Sequence, residues 1–239
     1  MTMKKMEEQG VNAIVLKDHN FKQFNLKRYW SEWGGKMVWI ADPITTEIDK
    51  FEKILVDHLE LGASAAYIWG GSSDIWYHRG EYDNIVRALE IIKSYRIPAG
   101  IGAHRNEPIA FALKENLQPD FFFKTFHKDN YWSAHPRENY EYMEMYEPNS
   151  PDHNKYHDNL WCQHPEEMAE MMQNSDIPWI AFKVMAAGAI SPKEGFDFAF
   201  QNGADFICAG MFDFQVDEDI RLFRESYAEA GNRQRPWMG

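Results

Sequence analysis

At 239 residues, with 44% hydrophobic and 15% aromatic content, the chain has ample material for one large core, which excludes global disorder. A formal net charge of -12 argues against a nucleic-acid backbone or an anionic membrane surface as the main partner, because both need clustered Lys and Arg. Two cysteines, Cys162 and Cys208, exclude a disulfide framework, and without a membrane-length apolar run or a signal peptide the expected setting is the reducing cytoplasm.

Taken in order, residues 1–9 read as the tail of a helix closed by Gly10, and residues 11–16 as a strand ending at Lys17-Asp18-His19. Residues 21–33 are aromatic and helical in character, and Gly34-Gly35 stops them. A strand over 36–40 ends at Ala41-Asp42-Pro43. Thr46 and Asp49 are placed to cap the next helix, whose apolar positions Ile48, Phe51, Ile54, Leu55 and Leu59 share a face. Residues 65–69 form a strand running into Gly70-Gly71, followed by a loop containing Asp74 and His78 and a helix over 82–95.

The strand predicted at 98–104 contains Gly100 and Gly102, a place where something can approach the backbone closely. Asn106 is placed to cap a short helix ending near Leu117, and FFFKTFH (121–127) is the next strand, with Asp120 before it. Residues 128–160 lack clean periodicity and read as a lid-like loop. His135, His153, His157 and His164 lie in or beside it; solvated or capping roles are the default, and a cluster could bind metal.

His164-Pro165 opens a helix ending near Gln173. The apolar run 179–185 carries a single lysine, Lys183, and suits a strand buried on both faces. Ala186-Ala187-Gly188-Ala189 is a run of small residues that lets a backbone or ligand come near. Ser191-Pro192-Lys193-Glu194 supplies an N-cap, a first-turn proline and a capping-box glutamate, and Gly203 takes the left-handed position after the helix. Residues 204–209 read as a core strand holding Cys208, and residues 216–230 as the terminal helix.

Seven strands, each followed by a helical segment, predict an α/β fold with a parallel sheet, a (β/α)8 TIM barrel in one domain over 1–239. If the last two strands are the seventh and eighth of the barrel, the first is absent or atypical.

The turn AAGAI (186–190) and the stretch GADFICAG (203–210) resemble the phosphate-binding end of aldolase-type TIM barrels, with alanine in place of the first glycine and Asp213 where an anion would need a donor. FFFKTFH and AFKVMAAGAI resemble the two lysine strands of deoxyribose-phosphate-aldolase-like class I aldolases. That resemblance implies Lys124 as Schiff-base lysine and Lys183 as the neighbour that depresses its pKa. The carboxylate such aldolases carry on strand four is not evident in AYIWGG (66–71). As a whole, residues 34–219 look similar to uncharacterised bacterial TIM-barrel proteins.

The expected function is a lyase or isomerase acting on a small polar carbonyl or sugar-like substrate at the C-terminal mouth of the barrel, without a cofactor. Lys183, Lys124, His104, His127 and Asp42 are its catalytic candidates, and Trp69, Gly70, Gly188, Ser191 and Gly210 its substrate-binding ones. Lys124 and His127 differ in parity, so a regular strand turns only one of them inward. Trp69 and Trp132 are candidates for stacking on a sugar ring. One alternative is an amidohydrolase-like metal enzyme holding Zn or Mn with His104, His127 and Asp213. The other is a non-catalytic barrel acting as a binding or assembly partner. A small molecule is the expected partner, nucleic acid and membrane are not, and a homo-oligomer is compatible with the sequence.

Overall fold

The computed structural model describes residues 2–16, 20–134, 136–140 and 162–238. Its regular elements alternate along the chain: α1 (Thr2–Glu8), β1 (Ala13–Val15), α2 (Asn20–Ser31), β2 (Val38–Ala41), α3 (Ile48–Glu60), β3 (Ala65–Ile68), α4 (Gly70–His78), α5 (Tyr82–Ser94) and β4 (Ala99–Ala103). They continue with α6 (Glu107–Lys114), β5 (Phe121–Thr125), α7 (Pro165–Gln173), β6 (Trp179–Phe182), α8 (Pro192–Gln201), β7 (Phe206–Cys208) and α9 (Val216–Glu229). All seven strands lie in one sheet in the order β1 to β7, with parallel pairing from β1 to β4 and from β5 to β7. Sequential parallel strands with helices between them are the arrangement of the TIM-barrel fold, as the alternation of the sequence predicts.

The chain forms two compact units: 1–102 with 119–121 and 210–221, and 103–118 with 122–209 and 222–239. In the first, α3 buries Phe51 and Leu55, and also His58, whose ring meets Trp39 edge-on. The close approach expected at Gly100 and Gly102 is real, and the protein itself supplies it. A Cβ on Gly100 would stand 2.5 Å from the Phe121 ring, and one on Gly102 would stand 2.5 Å from the Ile68 carbonyl oxygen. Asp120 closes this edge by accepting the Ala99 N–H at 2.8 Å.

Several local expectations are corrected. The stretch around Asp74 and His78 is helix α4, with residues 70–76 buried; its Gly-Gly-Ser-Ser start is poor in helix propensity, and packing overrides that preference. Neither Thr46 nor Asn106 caps a helix with its side chain. The residue before α3 is Glu47, and Asn106 instead donates Nδ2 to the carbonyls of Gln163 and His164. The strand predicted over 179–185 stops at Phe182 because Lys183 turns left-handed, with φ 58°. β7 is not a core strand: among the described residues it pairs with β6 alone, Phe206 is exposed and Cys208 is half-buried. Of the lid-like loop, residues 141–160 lie outside the described residues, as do Lys17, Asp18, His19, His135, His153 and His157.

The second unit is locked by its C-terminal segment. Arg235, fully buried, donates to Asp205 at 2.6 Å and to the carbonyls of Met172, Gly203, Ser175 and Ile177. Asp205 also takes Arg233 at 2.7 Å and the backbone N–H groups of Trp179 and Met238. The aspartate of the Gly-Ala-Asp stretch is thereby a structural hub with every lone-pair direction used. The helix before it is punctuated as predicted: Ser191 Oγ accepts the Glu194 N–H, and Gly203 follows at φ 98°. The carboxylate of Glu194 pairs with Lys128 instead of completing the capping box.

Arg235→Ala removes one of the two buried counter-charges of Asp205 and takes a donor from each of four carbonyls, and should cost about 3–5 kcal/mol. In a chain of this size that lowers the thermal midpoint by roughly 10 °C; an unchanged midpoint would remove the lock.

Candidate functional site

Four of the residues singled out in the sequence fall within the second unit: His104, Lys124, His127 and Lys183. His104 directly follows β4, His127 comes two positions after β5, and Lys183 directly follows β6, so all three leave the C-terminal ends of consecutive strands. Phe182 joins them. Its ring lies 5.6 Å from the His104 ring and 4.7 Å from Phe123, and Lys183 Nζ stands 5.7 Å from the Phe182 centroid.

Strand alternation separates Lys124 from this group. In register, Phe122 pairs with Trp179, Lys124 with Ala181 and Thr125 with Phe182. Trp179 packs on Phe126 at 4.8 Å, and Phe126 packs on Phe198 of α8 at 5.1 Å, so the Phe122–Lys124–Trp179 side of the sheet faces helix. Phe123, Thr125 and Phe182, with His104 against them, occupy the opposite side. Lys124 is fully buried, and its Nζ donates to the carbonyls of His104 at 2.5 Å and Thr125 at 2.7 Å. The Lys124 amine is thus engaged under the helices, on the side of β5 away from Phe182, where the resemblance implies a Schiff-base lysine.

His127 is buried, and its Nδ1 lies 2.7 Å from the Lys128 carbonyl oxygen. A carbonyl only accepts, so Nδ1 carries the hydrogen and, in the neutral ring, Nε2 is left as an acceptor. Burial pushes the imidazole pKa down to about 4, and the charges of Lys124 and Lys183 push the same way, while the Lys128 carbonyl opposes them. His127 is therefore neutral at pH 7. Cys162 is fixed against its backbone, accepting from the His127 N–H at 3.3 Å and donating to its carbonyl at 3.2 Å. Burial raises the thiol pKa, so Cys162 is a packing group and not a nucleophile.

The exit from β6 is strained. Lys183, Ala186 and Ala187 all have positive φ, at 58°, 44° and 56°, followed by Gly188 at 94°. Non-glycine residues in this region cost about 1–3 kcal/mol each and gather at functional turns. The turn is held by its own backbone, Ala186 N–H to Lys183 O at 2.9 Å and Ile190 N–H to Met185 O at 3.1 Å. Lys183 is half-buried beyond the strand end, where the sequence placed it on a buried strand.

The remaining candidates are placed as follows. Nothing stands within 4 Å of a Cβ built on Gly188 or Gly210, so each leaves open space. Ser191 Oγ is used in capping α8. Asp42, nearly inaccessible after β2, belongs to the first unit with Trp69, Gly70, Gly210 and Asp213. The Trp69 ring lies over Gly71, and Trp132 is exposed. Asp213 is exposed and takes Thr2 Oγ1 at 3.3 Å. Among the described residues, no three His, Cys, Asp or Glu side chains are grouped to hold a metal; His104 and His127 belong to the second unit and Asp213 to the first.

Sequence reasoning missed the cluster of Asp129, Arg137, Tyr140 and Glu166 beside His127. Arg137 meets Asp129 through Nε at 2.8 Å and Nη2 at 3.0 Å, and Glu166 through Nη1 at 2.7 Å and Nη2 at 3.0 Å. Tyr140 donates to Asp129 at 3.0 Å. A lone arginine in an aperiodic stretch, 29 positions from Glu166, carries no local signal.

No family model matches the chain, and no curated protein matches it. A solved structure described as "Putative aldo-keto reductase from Pseudomona aeruginosa" is similar over 92% of this chain and 92% of that one, at 9% identity and a TM-score of 0.38. The fold is assigned from strand order and pairing. Among the described residues, no helix is long and apolar enough to cross a membrane.

Because the unfolded chain binds a proton on His127 near pH 6.5 and the folded one only near about 4, stability is full above pH 6.5 and falls as pH drops through that window. The loss amounts to about 3 kcal/mol and levels off below both values. His127→Gln should flatten this part of the stability–pH curve measured by urea unfolding; an unaltered slope would refute the neutral, buried imidazole.

Proposed function

We propose that the protein is a TIM-barrel enzyme of lyase or isomerase type acting on a small polar carbonyl or sugar-like substrate. The observation that carries this reading is the convergence of His104, His127 and Lys183 at the C-terminal ends of β4, β5 and β6, where enzymes of this fold place their chemistry. Lys183 is the electrophilic group: its Nζ, beyond the strand end and half-buried, hydrogen-bonds to the substrate carbonyl oxygen and stabilises the negative charge that develops when an adjacent C–H bond breaks. His104 moves that proton. His127, neutral and with Nε2 as its acceptor nitrogen, is too weakly basic to abstract it and instead holds a substrate hydroxyl.

Lys124 is a positioning residue in this scheme, fixing the carbonyls of His104 and Thr125. The aldolase-type assignment is retained for the class of chemistry and not for a Schiff base on Lys124. The reading calls for no cofactor, for a small molecule as partner and for a cytoplasmic setting; a homo-oligomer is compatible with it.

The test is proton exchange. Incubated in D2O with a panel of small hydroxyaldehydes and hydroxyketones, the protein should place deuterium beside the carbonyl of at least one of them, read by mass spectrometry. Lys183→Met and His104→Asn should each lower that rate by about 10²-fold or more, the scale of one lost oxyanion donor or general acid–base group. His127→Asn should act mainly on KM. Absence of exchange across the panel, or full exchange by Lys183→Met, would overturn the reading, and the first result would favour a non-catalytic barrel.

A further inference from the structure

The described part of the segment after β5 is tied down at both ends and lies against a candidate residue of the site. At its start Lys128 pairs with Glu194 of α8. Tyr131 sets its ring edge-on to the His127 imidazole, with centroids 5.7 Å apart at 72°, and His127 is 1% exposed. Further along, a 3-10 turn over Arg137–Asn139 presents Arg137 to two carboxylates at once, Asp129 behind it and Glu166 in the first turn of α7. Each carboxylate receives a forked pair of N–H groups, the strongest geometry available to a guanidinium. The Asp129 carboxylate is buried, whereas the side chains of Arg137 and Glu166 are half-exposed, at 50% and 54%.

We propose that residues 128–134 and 136–140 form a strap over His127, latched by Arg137 between Asp129 and Glu166, and that release of the latch opens His127 to solvent. A group meant to meet substrate and found 1% exposed needs such a device, so its functional meaning rests on the acid–base reading above. The physical claim about access stands apart from that reading. Half-exposed ion pairs are weakened by salt and tight packing is not, so opening has its own signature.

Access is measured with diethyl pyrocarbonate, which acylates the neutral imidazole, followed by peptide mass spectrometry to follow His127 by itself. His58 of α3, equally buried and packed against Trp39, is the internal control. The labelling rate of His127 should rise several-fold between about 0.05 M and about 1 M NaCl, the range over which screening of surface charges becomes nearly complete. Arg137→Ala should raise it about tenfold at low salt and remove most of the salt dependence; Glu166→Gln, which spares the Asp129 half, should fall between. His58 labelling should stay constant in each case. Salt-independent labelling of wild-type His127, or a parallel rise at His58, would overturn the strap. Because no substrate enters the measurement, this result and the exchange result fail separately.

Discussion

The candidate site depends on one buried polar contact, the bond from Lys124 Nζ to the carbonyls of His104 and Thr125. A lysine taken wholly out of water is costly unless its donors are met, and the carbonyls at the ends of two neighbouring strands meet them. The bond holds the residue that follows β4 to the last residue of β5, at the level where His104 and His127 depart. Through space the same charge helps keep His127 unprotonated. Lys124 thus acts twice on the site, by geometry and by field, without presenting its amine to a substrate.

Lys183 is the opposite case. Both lysines were conspicuous in the sequence because each stands alone in an apolar run, but a run does not say where a strand ends. β6 stops at Phe182, and a left-handed Lys183 starts a turn with three more positive-φ residues. That strain points the chain out of the sheet and separates the residue with access from the one without it. Alternation does hold within β5, where Lys124 and Thr125 face opposite sides. His127 lies beyond the regular strand, where alternation no longer sets the side a residue faces.

Alternation of strands and helices was legible because period and punctuation are local; the seven strands, the Ser191 cap and the Gly203 terminus all follow from neighbouring residues. What was not legible depends on partners distant in the chain. Asp205 sits in a stretch that resembles a phosphate-binding turn, yet its role is set by Arg233 and Arg235 some thirty positions later. Asn106 has the composition of a cap and serves as a tie to residues 163 and 164. Helix α4 defied its Gly-Gly-Ser-Ser start because burial outweighed propensity. Each failure has the same form, a local preference overruled by a long-range contact.

The account turns on His127 being neutral, hydrogen-bonded through Nδ1, and within the electrostatic reach of Lys183. Nitrogen-15 NMR of histidine-labelled protein reports tautomer and titration for the individual ring. The account predicts an Nδ1–H imidazole that stays neutral until the pH nears about 4, and whose pKa rises when Lys183→Met removes the nearby charge. A His127 that titrates near 6.5 with equal tautomers, and ignores the loss of Lys183, would contradict the shared site.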